Sequence, residues 1–118
     1  MIKIAHEAPL DIFEEVQRFT DYDYALVHLL EENPRYRDTF ERAIKKGREV
    51  ILDNSIFELG ESFDPNKYRK YAEELNPTFY IVPDVLEDSV GTMSSWMKFI
   101  ANGVPDINLA FQFLSIRF

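Results

Sequence analysis

Ile51-Leu52-Asp53-Asn54-Ser55-Ile56-Phe57-Glu58-Leu59-Gly60 decides how the rest of the chain is read. With Val50, its first residues form a run that is apolar on successive positions. A strand of that kind must be covered on both faces, as in a parallel sheet. Where the run stops, Asp53, Asn54 and Ser55 set a carboxylate, an amide and a hydroxyl side by side. Tyr80-Ile81-Val82-Pro83-Asp84 repeats the arrangement, with Pro83 ending the strand because it has no amide proton to give to a ladder. Outward from these two, the apolar runs Ile2 to Ala5, Tyr24 to Leu30 and Ile107 to Leu114 complete a set of strands predicted at 2–5, 24–30, 49–53, 78–82 and 107–114.

Helical periods lie between the strands. Ile12, Phe13, Val16 and Phe19 make the first, and Tyr36, Phe40, Ala43 and Ile44 the second. Tyr68, Tyr71, Ala72 and Leu75 make the third, and Val90, Met93, Met97 and Ile100 the fourth. Spacings of three, four and seven place each set on one helix face. Asn33-Pro34 and Asp64-Pro65 open two of these helices, since proline is at home in a first turn whose amides have no partner. Gly47 and Gly103 predict left-handed helix ends, and Asp88 predicts the cap of the fourth helix.

Strand and helix alternate at intervals of roughly 22–29 residues, the rhythm of parallel α/β folds. An open nucleotide-binding sheet usually carries glycines in its first βα turn. Here that turn reads His6-Glu7-Ala8-Pro9, which favours a barrel. A complete barrel takes about 250 residues, so residues 1–118 are expected to form a single partial domain: parallel β/α units making about half of a TIM-type barrel.

Composition narrows the chemistry. The 118 residues carry a net charge of −8 and no cysteine, which excludes disulfides, thiolate zinc ligands and cysteine nucleophiles. No basic tract offsets the negative charge, so a phosphate backbone would have to be held largely by residues outside this chain. The N-terminus meets Glu7 before it could build a signal-peptide core, and no apolar run approaches a membrane span. The expected location is cytoplasmic, in a phage-infected host or otherwise.

In parallel α/β folds ligands bind at the carboxyl ends of the strands. Read in order, those ends are His6-Glu7, His28, Asp53-Asn54-Ser55 and Asp84. Asp53, desolvated at the end of a buried strand, suits proton transfer. Asn54 and Ser55 supply donors and acceptors able to read a heterocycle edge, although a strand-end turn alone would use the same residue types. His6, His28, Asp53 and Asp84 could also be drawn as metal ligands, but no short-spaced ligand pair accompanies them.

Leu52-Asp53-Asn54-Ser55-Ile56-Phe57-Glu58 resembles the Asp-Ser-Gly-Gly-Phe-Gln segment of the tRNA-guanine transglycosylases, the queuine-exchanging enzymes, and of their phage and bacterial relatives that place deazaguanines in DNA. Pro83-Asp84-Val85-Leu86-Glu87-Asp88 resembles the later strand-end Asp segment of the same barrel. The likeness is closest to short, phage-type members and covers about residues 1–100. It implies base contact and proton transfer by Asp53, reading of a guanine-type edge by Asp84, and a pocket border at Phe57. Asn54, Ser55, Glu58, His6 and His28 join the base-binding set. Asn54, Ser55 and Ile56 depart from Ser-Gly-Gly, and Glu58 stands where Gln is usual.

The implied function is the N-terminal half of a transglycosylase-like barrel, recognising a purine or 7-deazaguanine base for exchange into nucleic acid and inactive alone. The family's nucleophilic Asp and its zinc site belong to the other half, so no cofactor is expected in this chain. Residues 101–118 read either as a fifth strand or as an out-of-frame tail. Two other readings stand beside this one: a non-catalytic small-molecule-binding module that closes by homodimerisation, and a metal-dependent barrel lyase or hydrolase.

Overall fold

The computed structural model describes residues 2–61, 63–85, 88–101 and 108–110. Five strands, β1 (Ala5–His6), β2 (Tyr22–Leu26), β3 (Glu49–Asp53), β4 (Phe79–Ile81) and β5 (Asn108–Ala110), pair in the order β1-β2-β3-β4-β5. Every pairing is parallel, with Ala5 opposite Tyr22, Leu26 opposite Asp53, Leu52 opposite Tyr80 and Tyr80 opposite Leu109. Helices α1 (Phe13–Gln17), α2 (Val27–Glu32), α3 (Pro34–Lys45), α4 (Ile56–Leu59), α5 (Pro65–Leu75) and α6 (Ser89–Ala101) fill the connections, with a 3-10 turn at Leu10–Ile12 ahead of α1.

Strands that add one after another in the same direction, through right-handed crossovers, carry their helices to one side of the sheet. Burial follows that rule. Ala25, Val50, Leu52, Tyr80 and Val82 join one core cluster with Phe13, Tyr36, Phe40, Ala43, Tyr68, Ala72, Leu75 and Phe99 from the helical layer. The alternate positions Tyr22, Tyr24, Glu49, Ile51 and Phe79 are only half-buried. The alternation breaks at the carboxyl ends, where Leu26, Asp53 and Ile81 are buried as well.

Local chemistry explains the two best-defined helices. Asn33 accepts from the amides of Arg35 and Tyr36, and Asp64 from those of Asn66 and Lys67, each with proline in the first turn. Gly47, at φ 90°, ends α3 in the left-handed conformation that glycine adopts without steric cost. There the amides of Gly47 and Arg48 reach back to the Ile44 and Ala43 carbonyls, both at 3.0 Å. Asp88 caps α6 as expected, accepting from the Gly91 amide at 2.8 Å.

Four sequence expectations need correction. The second strand is Tyr22–Leu26, not 24–30, and the apolar run continues as α2. The first strand is Ala5–His6 rather than 2–5, and Ile2 and Ile4 are exposed. The first helix stops at Gln17 and leaves Phe19 exposed. In α6 the inward side is Thr92 and Phe99 with Trp96 packed beside them, whereas Val90, Met93 and Met97 face outward. That helix is apolar on several sides, so periodicity alone could not choose its buried face. The expected fifth strand is present at Asn108–Ala110; the rest of the predicted 107–114 span, and Gly103, lie outside the described residues.

Candidate functional site

Asp53 is the last residue of β3 and is 7% exposed. The Tyr24 hydroxyl donates to its Oδ1 at 2.9 Å, and the Ser55 amide donates to Oδ2 at 2.9 Å. The second bond is an Asx turn, which folds the chain back from strand to helix within two residues. Ser55 completes that turn at φ 61°, a left-handed position that costs energy for a residue with a Cβ. Its Oγ accepts from the His28 amide at 3.3 Å and pairs with Nδ1 of the His28 ring at 2.8 Å. The turn after β3 is thereby tied to the start of α2.

Asn54 makes the second tie. Its amide nitrogen donates to the Val82 carbonyl at 3.0 Å and also to Asp84 Oδ1, and its Oδ1 accepts from the Ile56 amide at 3.1 Å. Asp84 is fully buried. Asp53 and Asp84 therefore belong to one polar cluster at the carboxyl edge of the sheet, with Asn54 between them.

Asp53 and Asp84, expected from the sequence to open into one pocket, are joined through Asn54, but both are buried. Two placements differ from what the sequence suggested. His28 is not at a strand end; it is the second residue of α2, and it reaches the site through Ser55. Glu58 lies exposed on α4, and its charge acts on Asp53 and Glu7. His6 does end a strand, and its Nδ1 contacts the Glu7 carbonyl. The Phe57 side chain lies outside the described residues.

Sequence reasoning missed Tyr24 and gave Glu7 no role. Tyr24 reads as an ordinary strand aromatic until register places it two residues before Leu26, which stands opposite Asp53. Two open hollows lie near the carboxyl ends of β1 and β2, lined by neither Asp53 nor Asp84. One, of about 350 Å³, is lined by Ala5, His6, Glu7 and Tyr24. The other, of about 450 Å³, shares His6 and Glu7 and reaches Tyr36. Among the described residues, no three His, Asp or Glu side chains form a group that could hold a metal ion. No helix of the described residues is long and apolar enough to cross a membrane.

Burial pushes the Asp53 carboxyl above its ordinary range. The charges of Glu58 and Asp84 push the same way, and the bonds from Ser55 and Tyr24 oppose them. Burial likewise raises Asp84 against the bond from Asn54. For Glu7, partial burial comes first, then Glu58 and Asp53, with His6 and His28 pulling it down. Burial, then the neighbouring Asp53 charge, raises the Tyr24 hydroxyl, which stays protonated as a donor.

A carboxyl raised in the folded state keeps its proton where the unfolded chain has lost it, so folding weakens as pH climbs from 3.8 through the raised value. Asp53→Asn removes that dependence. The stability of the variant relative to the parent should therefore increase from pH 4 to pH 8, as read by urea unfolding across that range. A difference independent of pH would show that Asp53 ionises in the folded protein as freely as in the unfolded chain.

The arrangement can accept hydrogen bonds from a donor-rich ligand edge and can hold or release a proton at Asp53. No protein-family model, no curated protein and no solved structure matches the chain, so the site stands on its own geometry.

Proposed function

We propose that this chain is the N-terminal half of a TIM-type barrel that recognises a guanine or 7-deazaguanine base for exchange into nucleic acid. The observation that carries the reading is the pair of strand-end acids. β3 and β4 run side by side, and Asp53 and Asp84, joined by Asn54, stand at their carboxyl ends. That is where barrel enzymes keep their chemistry.

Sequential parallel strands with one helix-covered face also support a barrel over a doubly wound sheet, in which the strand order reverses and helices cover both faces. In this reading Asp84 accepts from the amino and imino edge of the base. Asp53, held by Tyr24 and Ser55, moves the proton. The 118 residues supply recognition and proton transfer, and the nucleophile of the exchange comes from outside them.

Calorimetry with guanine and 7-deazaguanine tests the reading. Asp84→Asn should weaken binding by about 1.5–3 kcal/mol, the usual worth of a hydrogen bond to a charged group. Unchanged affinity would assign Asp84 to the fold alone, and absence of binding by either base would remove the functional reading.

A further inference from the structure

Tyr36 holds a spare donor. Its side chain is 5% exposed, and its oxygen accepts from the Leu26 amide at 2.9 Å. A phenol has one proton to give, and among the described residues that proton has no acceptor. A buried donor left without an acceptor is costly. Tyr36 also lines the hollow of about 450 Å³, a volume in the range of small-molecule sites. Pro9, Leu10 and Leu29 give the hollow apolar sides, and exposed His6 and Glu7 stand at its mouth.

A ligand suited to this lining is apolar on its faces, offers an acceptor to Tyr36 and offers a donor to the Glu7 carboxylate. We propose that this hollow is a binding site, distinct from the Asp53–Asp84 pair, for a small planar ring bearing a lactam or carboxamide: its carbonyl accepts from Tyr36 and its N–H donates to Glu7. The neighbouring hollow shares His6 and Glu7 and reaches Tyr24, which bonds Asp53. An occupant of one site therefore lies within two side chains of the other.

The test is a titration of the 118-residue protein with 2-pyridone, a minimal lactam ring, followed by amide NMR. Saturable shifts are expected at Leu10, Leu29 and Tyr36. Glu7→Gln, an exposed change that leaves the fold intact, should weaken the response about tenfold through loss of a charge-assisted bond. Leu29→Trp, which fills the hollow, should abolish it, and Asp84→Asn should leave it unchanged. Shifts confined to Asn54 and Ser55, full affinity in both Glu7→Gln and Leu29→Trp, or no saturable shift would each overturn the proposal.

Discussion

Truncation of Tyr68 to alanine is expected to destabilise the protein by about 4 kcal/mol, as for other large aromatic-to-alanine changes in cores. Tyr68 is fully buried on α5, with the rings of Tyr80 and Phe99 at 6.3 Å and 6.2 Å. Its hydroxyl donates to the Ile81 carbonyl at 2.6 Å and lies 3.0 Å from that of Leu52. One side chain thus fills the helical layer and ties the ends of β3 and β4 together just before Asp53 and Asp84. Tyr68→Phe keeps the ring and removes the tie, so it should cost only about 1–2 kcal/mol. Urea unfolding of both variants separates the two contributions. Equal losses would mean that the ring contributes little and the hydroxyl dominates.

Arg48→Met is expected to cost about 3 kcal/mol. Asp23 is buried near the start of β2. Arg48 Nη2 donates to its Oδ1 at 2.7 Å and also to the Thr20 carbonyl at 3.1 Å, while Gln17 donates to the other carboxylate oxygen at 2.7 Å. Removing one partner of a buried pair leaves a charge that water no longer solvates, typically about 3–5 kcal/mol. The lower figure applies here because the Arg48 side chain is 26% exposed. Asp23→Asn combined with Arg48→Met should recover part of the loss, and a thermal-melt cycle over the four proteins measures the coupling. Additive losses would show that the pair does not act as a unit. It lies at the amino ends of the strands, so ligand titrations on the folded variant should match the parent.

The elements most legible in the sequence are those with chemical punctuation. Asn33-Pro34 and Asp64-Pro65 announce α3 and α5, and both asparagine and aspartate perform the capping their positions predict. The boundary between β2 and α2 has no such mark. Leu26 caps α2 without a side-chain hydrogen bond, inside a run from Ala25 to Leu30 that only His28 interrupts, so tertiary packing decides where strand becomes helix. At the site, Asp53 and Asp84 were legible because an acid directly after an apolar strand is costly to bury. Tyr24 was not, because its role depends on which residue lies across the ladder, and a single strand does not encode its register. Glu7 was visible as a strand-end acid, but the hollow beside it exists only once the first turn packs over α3.

The strand order also bears on how the chain acquires its structure. Each strand pairs with the one made before it, and partners such as Tyr22 and Glu49 or Phe79 and Asn108 are separated only by the stretch of chain between consecutive strands. The entropy of closing a loop rises only slowly with its length, and here no closure spans more than one such stretch. Assembly can then proceed as a zipper from the first two strands onward, with each new strand adding to a finished edge. Chains organised by neighbouring contacts fold faster than those that must join distant segments. During synthesis, β1 to β3 with α1 to α3 can pack before Asp84 leaves the ribosome, so the acid pair is the last part of the site to be assembled.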